Sequence, residues 1–328
     1  MITTITLNPA IDATWFLDTF DEEEINRLQG KKIDAGGKGI NISRFLTMMG
    51  CPTLAMGFCG GDNGARLSSL LDEAGVRHNL TPIQGETRQN MTVFVEEGKK
   101  TIKINEAGPE ISPAECEAFE KALTEQAKQG GFIVLAGKNP PGIDGKTTID
   151  LLSRAKAAGA FSLVAMICVT VALTYGVPQT QKVVTLTLEE VIALGPTLIK
   201  PNELEFSKML GRPLETDKAL IQAAREVVAK GVEYVVISMG GDGLLGISAD
   251  KAYKVEVPKI AVRSTVGAGD SVVAGTLMAL SSGEPFEKAI CMGAAFGSAM
   301  ASTDGTEIPP KALVEEIHSK ITCHSVDA

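Results

Sequence analysis

The stretch Ser264-Thr-Val-Gly-Ala-Gly-Asp-Ser271 runs into Val272-Val-Ala-Gly-Thr-Leu-Met-Ala-Leu280, placing two glycines and an acid at the mouth of an apolar run of helical length. Glycine lets a backbone approach a ligand without a side-chain clash. A helix starting here would aim its unpaired N–H groups at the bend, a ready site for an anion. Asp270 at that mouth suits phosphoryl transfer, in which amides hold the moving group and a carboxylate takes the proton of the attacking hydroxyl. The same residues also make an ordinary turn with Asp270 capping the helix. The stretch alone does not choose between the two.

Five other clusters could contribute. Asn8-Pro-Ala-Ile-Asp12 follows a strand-like opening, and Asp12 there either accepts hydrogen bonds from sugar hydroxyls or is a turn acid. Asp34-Ala-Gly-Gly-Lys-Gly-Ile-Asn41 sets three glycines around Lys38 at a helix entry, where Gly37 permits close approach, Lys38 offers a point charge and Asn41 both donates and accepts. Its spacing matches neither the Walker loop nor G-x-G-x-x-G. Arg27 and, in Thr87-Arg-Gln-Asn90, Arg88 either are solvated charges or together clamp a phosphate on the substrate. In Lys200-Pro-Asn-Glu-Leu-Glu205, Asn202 and Glu205 share a face of a helix start, so Glu205 could steer a magnesium ion through water or simply answer the helix dipole. Ser238-Met-Gly-Gly-Asp-Gly243 fits nucleotide phosphates or a tight hairpin.

Such residues need a scaffold, and strand-like and helical stretches alternate through most of the chain. Strands are expected at 2–7, 53–57, 132–136, 197–199 and 234–238. Helices are expected at 39–49, 65–74, 113–129, 147–158, 203–210, 217–230 and 285–303. That alternation is the pattern of a sheet with helices on both faces. Residues 13–34 and 91–104 break it, reading as short strands with Glu97-Gly98-Lys99-Lys100 as a hairpin turn. Paired, they would form a small sheet acting as a lid over a site at the carboxyl ends of the main strands. No repeat or linker divides the 328 residues, so one domain is expected.

A net charge of −9 argues against nucleic acid or an anionic membrane as the main partner, without forbidding a local cationic pocket. The six cysteines show no C-x-x-C and read as buried thiols of a reducing compartment. The opening alternates like a strand rather than a leader, and the most apolar window, 161–175, is shorter than a membrane span. A cytoplasmic location is the expectation.

Asp12, the Gly-Gly-Lys-Gly-Ile-Asn block, Lys200-Pro-Asn202 with Glu205, Ser238-Met-Gly240 with Gly243, and Thr265-Val-Gly-Ala-Gly-Asp270 stand in the order of the ribokinase-like (PfkB-type) carbohydrate kinases, which this chain resembles from about residue 2 to 308. Thr6-Leu-Asn-Pro-Ala-Ile-Asp12, Thr87-Arg-Gln-Asn90 and Ile104-Asn-Glu-Ala-Gly-Pro109 resemble its hexose-phosphate branch, the 1-phosphofructokinases and tagatose-6-phosphate kinases.

The resemblance implies a doubly wound α/β body, a mostly parallel central sheet with helices on both faces, and a β lid built from about 13–34 and 88–106. It implies ATP as donor, magnesium as the required ion, and a homodimer paired through the lid. Asp270 would be the catalytic base and Gly267, Ala268 and Gly269 the anion hole. Asp12, Gly37, Lys38 and Asn41 would hold the sugar, with Arg27 and Arg88 on its phosphate. Asn202 and Glu205 would serve the magnesium–phosphate network. Lys200, Ser238, Gly240, Gly243, Thr265 and Ser298 would line the nucleotide side.

Two stretches depart from the family pattern. Where relatives usually read Gly-Ser-Leu-Pro-Pro-Gly, this chain has Gly137-Lys-Asn-Pro-Pro-Gly142, placing the cation Lys138 where a serine usually meets the sugar phosphate. Between 160 and 199 an apolar run, 162–173, replaces a polar strand end, and neither 166–172 nor 185–191 reproduces the usual segment. The expected reaction is phosphorylation of fructose 1-phosphate at its 6-hydroxyl. Tagatose 6-phosphate and fructose 6-phosphate are the alternatives within the class, and a catalytically idle sugar-phosphate sensor is the alternative outside it. A dinucleotide-dependent oxidoreductase lacks its glycine fingerprint.

Overall fold

The computed structural model describes residues 1–159, 162–166 and 187–326. Its strands are β1 (Ile2–Thr6), β2 (Ala10–Leu17), β3 (Gly30–Gly36), β4 (Thr53–Cys59), β5 (His78–Pro82), β6 (Arg88–Val95), β7 (Lys100–Asn105), β8 (Phe132–Ala136), β9 (Ser162–Met166), β10 (Leu198–Ile199), β11 (Tyr234–Ser238), β12 (Leu244–Ile247), β13 (Ala252–Glu256) and β14 (Thr322–Ser325). Its helices are α1 (Lys38–Met48), α2 (Gly61–Glu73), α3 (Pro113–Ala127), α4 (Gly145–Ala157), α5 (Leu188–Ala193), α6 (Glu203–Met209), α7 (Asp217–Ala229), α8 (Ala268–Ser281), α9 (Phe286–Ala301) and α10 (Lys311–His318).

The larger sheet runs β14-β13-β12-β11-β10-β9-β8-β1-β4-β5. From β5 to β11 neighbours are parallel, and β11 to β14 turn antiparallel. Parallel strands covered on both faces read as continuous apolar runs, and β8 shows why. Val134 and Ala136 pack into the cluster under α1, α8, α9 and α10, while Ile133 packs with Phe119 of α3 and Leu151 of α4. In β11, Val236 joins the first of these layers and Val235 and Ile237 pack against α7.

The second sheet, β3-β2-β6-β7, gathers the two segments that break the alternation. Each is an antiparallel pair, and β2 joins β6 in parallel with Asp12 opposite Asn90. Residues 97–99 form the expected tight turn, with Gly98 at φ 71°. The sheet is anchored at its base by Ile11 and Ala35, which share a cluster with Ile40 of α1 and Leu67 and Leu71 of α2.

The expected helices are present with ends shifted by a few residues; the largest shift is α2, which starts at Gly61 rather than 65. The apolar run expected at 162–173 is described only as far as Met166, in β9. Its remainder, with Cys168, lies outside the described residues, as does the start of the 185–191 stretch. The five described cysteines are free thiols, half-buried rather than buried. Among the described residues, no helix is long and apolar enough to cross a membrane.

Candidate active site

Helices α8 and α9 meet through small residues: a Cβ on Gly293 would lie 2.3 Å from Thr276 Oγ1 and 2.7 Å from the Val272 carbonyl. This close pairing fixes the start of α8. Gly267, left-handed at φ 78°, precedes its first turn and no side chain caps it. Helix α1 begins after Gly37, at φ 127°, which supplies no cap of its own, and Thr6 Oγ1 accepts from the Ile40 N–H of its first turn at 3.1 Å. Both helix starts open on one cavity of about 1110 Å³, beyond the carboxyl ends of β1, β8, β10 and β11. Open α/β sheets place ligands there.

Asp270, in the first turn of α8, is 6% exposed and accepts a hydrogen bond from Asn41 Nδ2 at 3.1 Å. Burial pushes its carboxyl above the ordinary 3.8. Lys38, the Asn41 amide and Lys200 pull the other way, and the charge of Glu205 adds to the rise. An acid so placed is a carboxylate of heightened basicity among cations, which is what a proton acceptor needs.

Across the cavity, Asp12 accepts from Asn90 Nδ2 at 2.8 Å, and burial raises its carboxyl against the lowering pull of that bond and of Arg88. A Cβ at position 36 would come within 2.4 Å of the Asp12 carboxylate, so a larger residue than glycine there would push that carboxylate from its place.

Arg88 bridges the two sheets. Its Nε and Nη2 donate to the Asn8 carbonyl at 3.2 and 3.0 Å, and Nη1 donates to the Glu106 carbonyl at 3.1 Å. Asn8 Nδ2 donates in turn to the Ala107 carbonyl at 2.8 Å. Burial lowers the Arg88 proton affinity, while Asp12 and Glu106 oppose the shift. Three of the five guanidinium N–H groups are spent on carbonyls, so two remain for a ligand.

Lys200, 6% exposed, donates to Ser238 Oγ at 3.3 Å. A Cβ on Gly269 would lie 3.3 Å from its Nζ, which places the ammonium under the first turn of α8. Asn202 and Glu205 form a reciprocal cap on α6: Asn202 N–H donates to Glu205 Oε2 and Glu205 N–H to Asn202 Oδ1, both at 2.8 Å. Among the described residues, no group of three or more His, Cys, Asp or Glu is arranged to hold a metal ion.

The cavity therefore brings together Asp12, Gly37, Lys38, Asn41, Arg88, Lys138, Lys200, Asn202, Glu205, Ser238, Thr265, Gly267, Gly269 and Asp270. Five expected residues are not in its lining. Arg27 is exposed in the loop joining β2 to β3, away from the phosphate clamp expected of it with Arg88. Ala268 lies between two lining glycines without lining the cavity itself. Gly240 and Gly243 close the antiparallel turn from β11 to β12, where a Cβ on Gly243 would collide with the Val255 carbonyl. Ser298 is buried in α9, its carbonyl accepting from Ser302 Oγ.

Two lining residues, Asn8 and Asn90, carry no assignment in the sequence reading although they stand inside motifs quoted there. The signal for Asn90 is its spacing. It lies two residues beyond Arg88 on a strand and so shares that residue's face. Asn8 Oδ1, Asn41 Oδ1 and Asn90 Oδ1 are buried without a hydrogen-bond partner. An unpaired buried acceptor costs ~1–3 kcal/mol.

The chain is similar to phosphofructokinase-2 of Escherichia coli, whose structure with substrates and products shares 27% identity over 97% of this chain and 98% of that one, with a TM-score of 0.86. A Staphylococcus aureus protein provisionally described as a phosphofructokinase shares 29% identity over the whole of both chains, with a TM-score of 0.83. A Thermotoga maritima protein provisionally described as a 1-phosphofructokinase, at 23% identity over 99% of both chains and a TM-score of 0.82, shows a likeness of fold. Residues 5–312 match the pfkB family carbohydrate kinase as one continuous unit, and the chain belongs to that family of sugar kinases.

Proposed function

We propose that this carbohydrate kinase acts on a sugar that already carries a phosphate, transferring the terminal phosphoryl group of ATP to the 6-hydroxyl of fructose 1-phosphate. The observation that carries the reading is the pairing, in one cavity, of buried Asp270 at an uncapped helix start with Asp12 and Arg88 on the opposite wall. Asp270 removes the proton of the attacking hydroxyl. The first turn of α8, from Gly267 to Gly269, faces the transferred group as an anion hole. Asp12, Gly37, Lys38 and Asn41 hold the sugar. The two uncommitted N–H groups of Arg88 and the ammonium of Lys138 meet its phosphate. Lys200, Ser238 and Thr265 lie on the nucleotide side, which Gly240, Gly243 and Ser298 support from outside the cavity lining.

Magnesium keeps much of its water and is held largely by nucleotide phosphates, so one nearby carboxylate suits it. Glu205 is that carboxylate, steadied by its cap with Asn202; the bound ion would supply charge neutralisation to the phosphates.

Fructose 6-phosphate is the second reading, favoured by the likeness to E. coli phosphofructokinase-2, a structure of which holds that sugar phosphate (26% identity). Tagatose 6-phosphate stays with it as a related ketose phosphate. An ADP-release assay over the three compounds is expected to give the highest kcat/KM with fructose 1-phosphate. A higher value with either 6-phosphate would replace that substrate, and binding without turnover of any of them would leave a sensor.

The smaller sheet, with its flanking segments about 13–34 and 88–106, serves as a lid on a single kinase domain of the cytoplasm. It exposes Phe16, Phe20, Ile25, Leu28 and Ile104, with Ile25 81% exposed. So much bare apolar surface on one small sheet is what a second copy would cover. Sedimentation should therefore give the mass of two chains, and a single-chain mass at micromolar concentration would overturn the lid dimer.

A further inference from the structure

Thr6, the last residue of β1, is 2% exposed, and the start of α1 is built around it. Gly37 precedes the helix and has no side chain with which to cap it. The N–H that a capping side chain would take at the third helical position is that of Ile40, and it donates to Thr6 Oγ1. The cap therefore comes from 34 residues upstream, on a strand that the helix packs against. Three glycines make room for the threonine. A Cβ on Gly37 would lie 2.6 Å from Thr6 Cγ2, and one on Gly39 would lie 2.6 Å from Thr6 Oγ1. A Cβ on Gly57, opposite Thr6 in β4, would collide with the Thr6 carbonyl. The two glycines that flank Lys38 are thus required by a neighbour inside the protein.

Asn41 follows Ile40 in the same turn. Its N–H closes the helical bond to the Gly37 carbonyl at 2.8 Å, and its side-chain NH2 donates to Asp270 Oδ2 at 3.1 Å. A shift of the first turn therefore carries that amide with it. Farther along α1, the Ser43 hydroxyl is bonded to those of Thr4 and Thr53, both at 2.8 Å, so the body of the helix is pinned separately from its start. Thr4 and Thr6, two apart on β1, share the face that meets α1.

We propose that Thr6 is a positioning residue: its hydroxyl sets the first turn of α1 and so holds the Asn41 amide against Asp270. The inference deepens the kinase reading, in which Asp270 is the proton acceptor, and rests on it for the effect on rate. Thr6→Val keeps the branched shape that the glycines fit and deletes the acceptor, leaving the buried Ile40 N–H without a partner. Thr6→Ser keeps the acceptor and gives up the methyl group.

NMR of the ligand-free chain tests the geometry without turnover. Hydrogen exchange at the Ile40 amide should quicken roughly tenfold in Thr6→Val, and the Asn41 side-chain NH2 resonance should move. Neither should change in Thr6→Ser, nor in Thr53→Val, which removes a buried hydroxyl from the other anchor of α1. Kinetics test the consequence. The value of kcat should fall roughly tenfold in Thr6→Val, hold in Thr53→Val and be kept in Thr6→Ser. A double-mutant cycle shows which residue carries the effect: in an Asn41→Ala background, Thr6→Val should cost nothing further in kcat.

Unchanged exchange at Ile40 in Thr6→Val would overturn the proposal. So would additive losses in the cycle, since Thr6 would then act by some route other than Asn41. An equal loss of kcat in Thr53→Val would do the same, as the mark of general damage to α1. Turnover of the wild type separates this failure from that of the kinase reading. ADP formation without the NMR pattern sinks the Thr6 link alone, and the NMR pattern without ADP formation sinks the kinase mechanism alone.

Discussion

Asp270→Asn should cost roughly 10²–10⁴-fold in kcat, the range of a lost general base, while nucleotide affinity holds. The amide keeps the shape of the side chain and can still meet Asn41, so binding groups stay in place; what disappears is the proton acceptor. A variant with near-normal turnover would end the mechanism.

The same substitution should make the protein more stable near neutral pH. The folded carboxyl titrates above its ordinary 3.8, chiefly through burial, so the folded state holds that proton more tightly than the unfolded chain does. Stability from this group is present below the unfolded value and lost as pH rises through the folded one. At neutral pH the wild type therefore carries a charged group at a disadvantage, and Asn relieves it. The melting temperature of Asp270→Asn should exceed that of the wild type at pH 7 by about 1–2 °C for each kcal/mol relieved, and the gap should close as pH falls below about 4. The acid limb of kcat/KM should likewise lie above the titration of a free aspartate, since the base works only when ionised. An unchanged melting temperature at pH 7 would mean that Lys38, Lys200 and Asn41 fully offset the burial.

How much of this was readable in the chain depends on the kind of signal. Phe132–Ala136 and Tyr234–Ser238 were placed to the residue because an unbroken apolar run bounded by Gly or polar residues has one reading when both faces are covered. Asp270 was legible because glycine, acid and apolar helix are consecutive. The antiparallel edge, β12 to β14, was not in the sequence reading. Its four- and five-residue strands carry no periodicity long enough to tell from a turn, and β14 pairs with β13 across the intervening residues 257–321. Gly240 and Gly243 lie outside the cavity lining, because their conformations serve the turn into that edge.

Arg27 and Arg88 looked equivalent in sequence. Only the pairing of β2 with β6 separates them, setting Arg88 at the base of the small sheet and Arg27 in the exposed loop beyond its far end. Glu205 caps α6 and also lines the cavity.

Arg88 is the residue whose loss should most damage sugar binding. Its guanidinium ties the loop after β1 to the strap after β7, so removing it loosens the wall and also deletes a cation that lines the cavity. Hydrogen bonds to charged groups contribute ~1.5–3 kcal/mol each, and losing the two that its uncommitted N–H groups would make to the substrate phosphate would cost ~3 kcal/mol, roughly 100-fold in kcat/KM. Arg88→Leu keeps bulk without charge, and Arg88→Lys keeps charge without the planar fork that grips the Asn8 carbonyl twice. Both should raise KM for the sugar phosphate far more than KM for ATP, with lysine recovering only the part owed to charge. If lysine restored wild-type kinetics, the clamp on Asn8 would be dispensable and Arg88 would act by charge alone. If neither variant moved KM for the sugar phosphate, the substrate's phosphate would have to lie on the Lys138 side of the cavity, more than a side chain's reach from the junction of the two sheets.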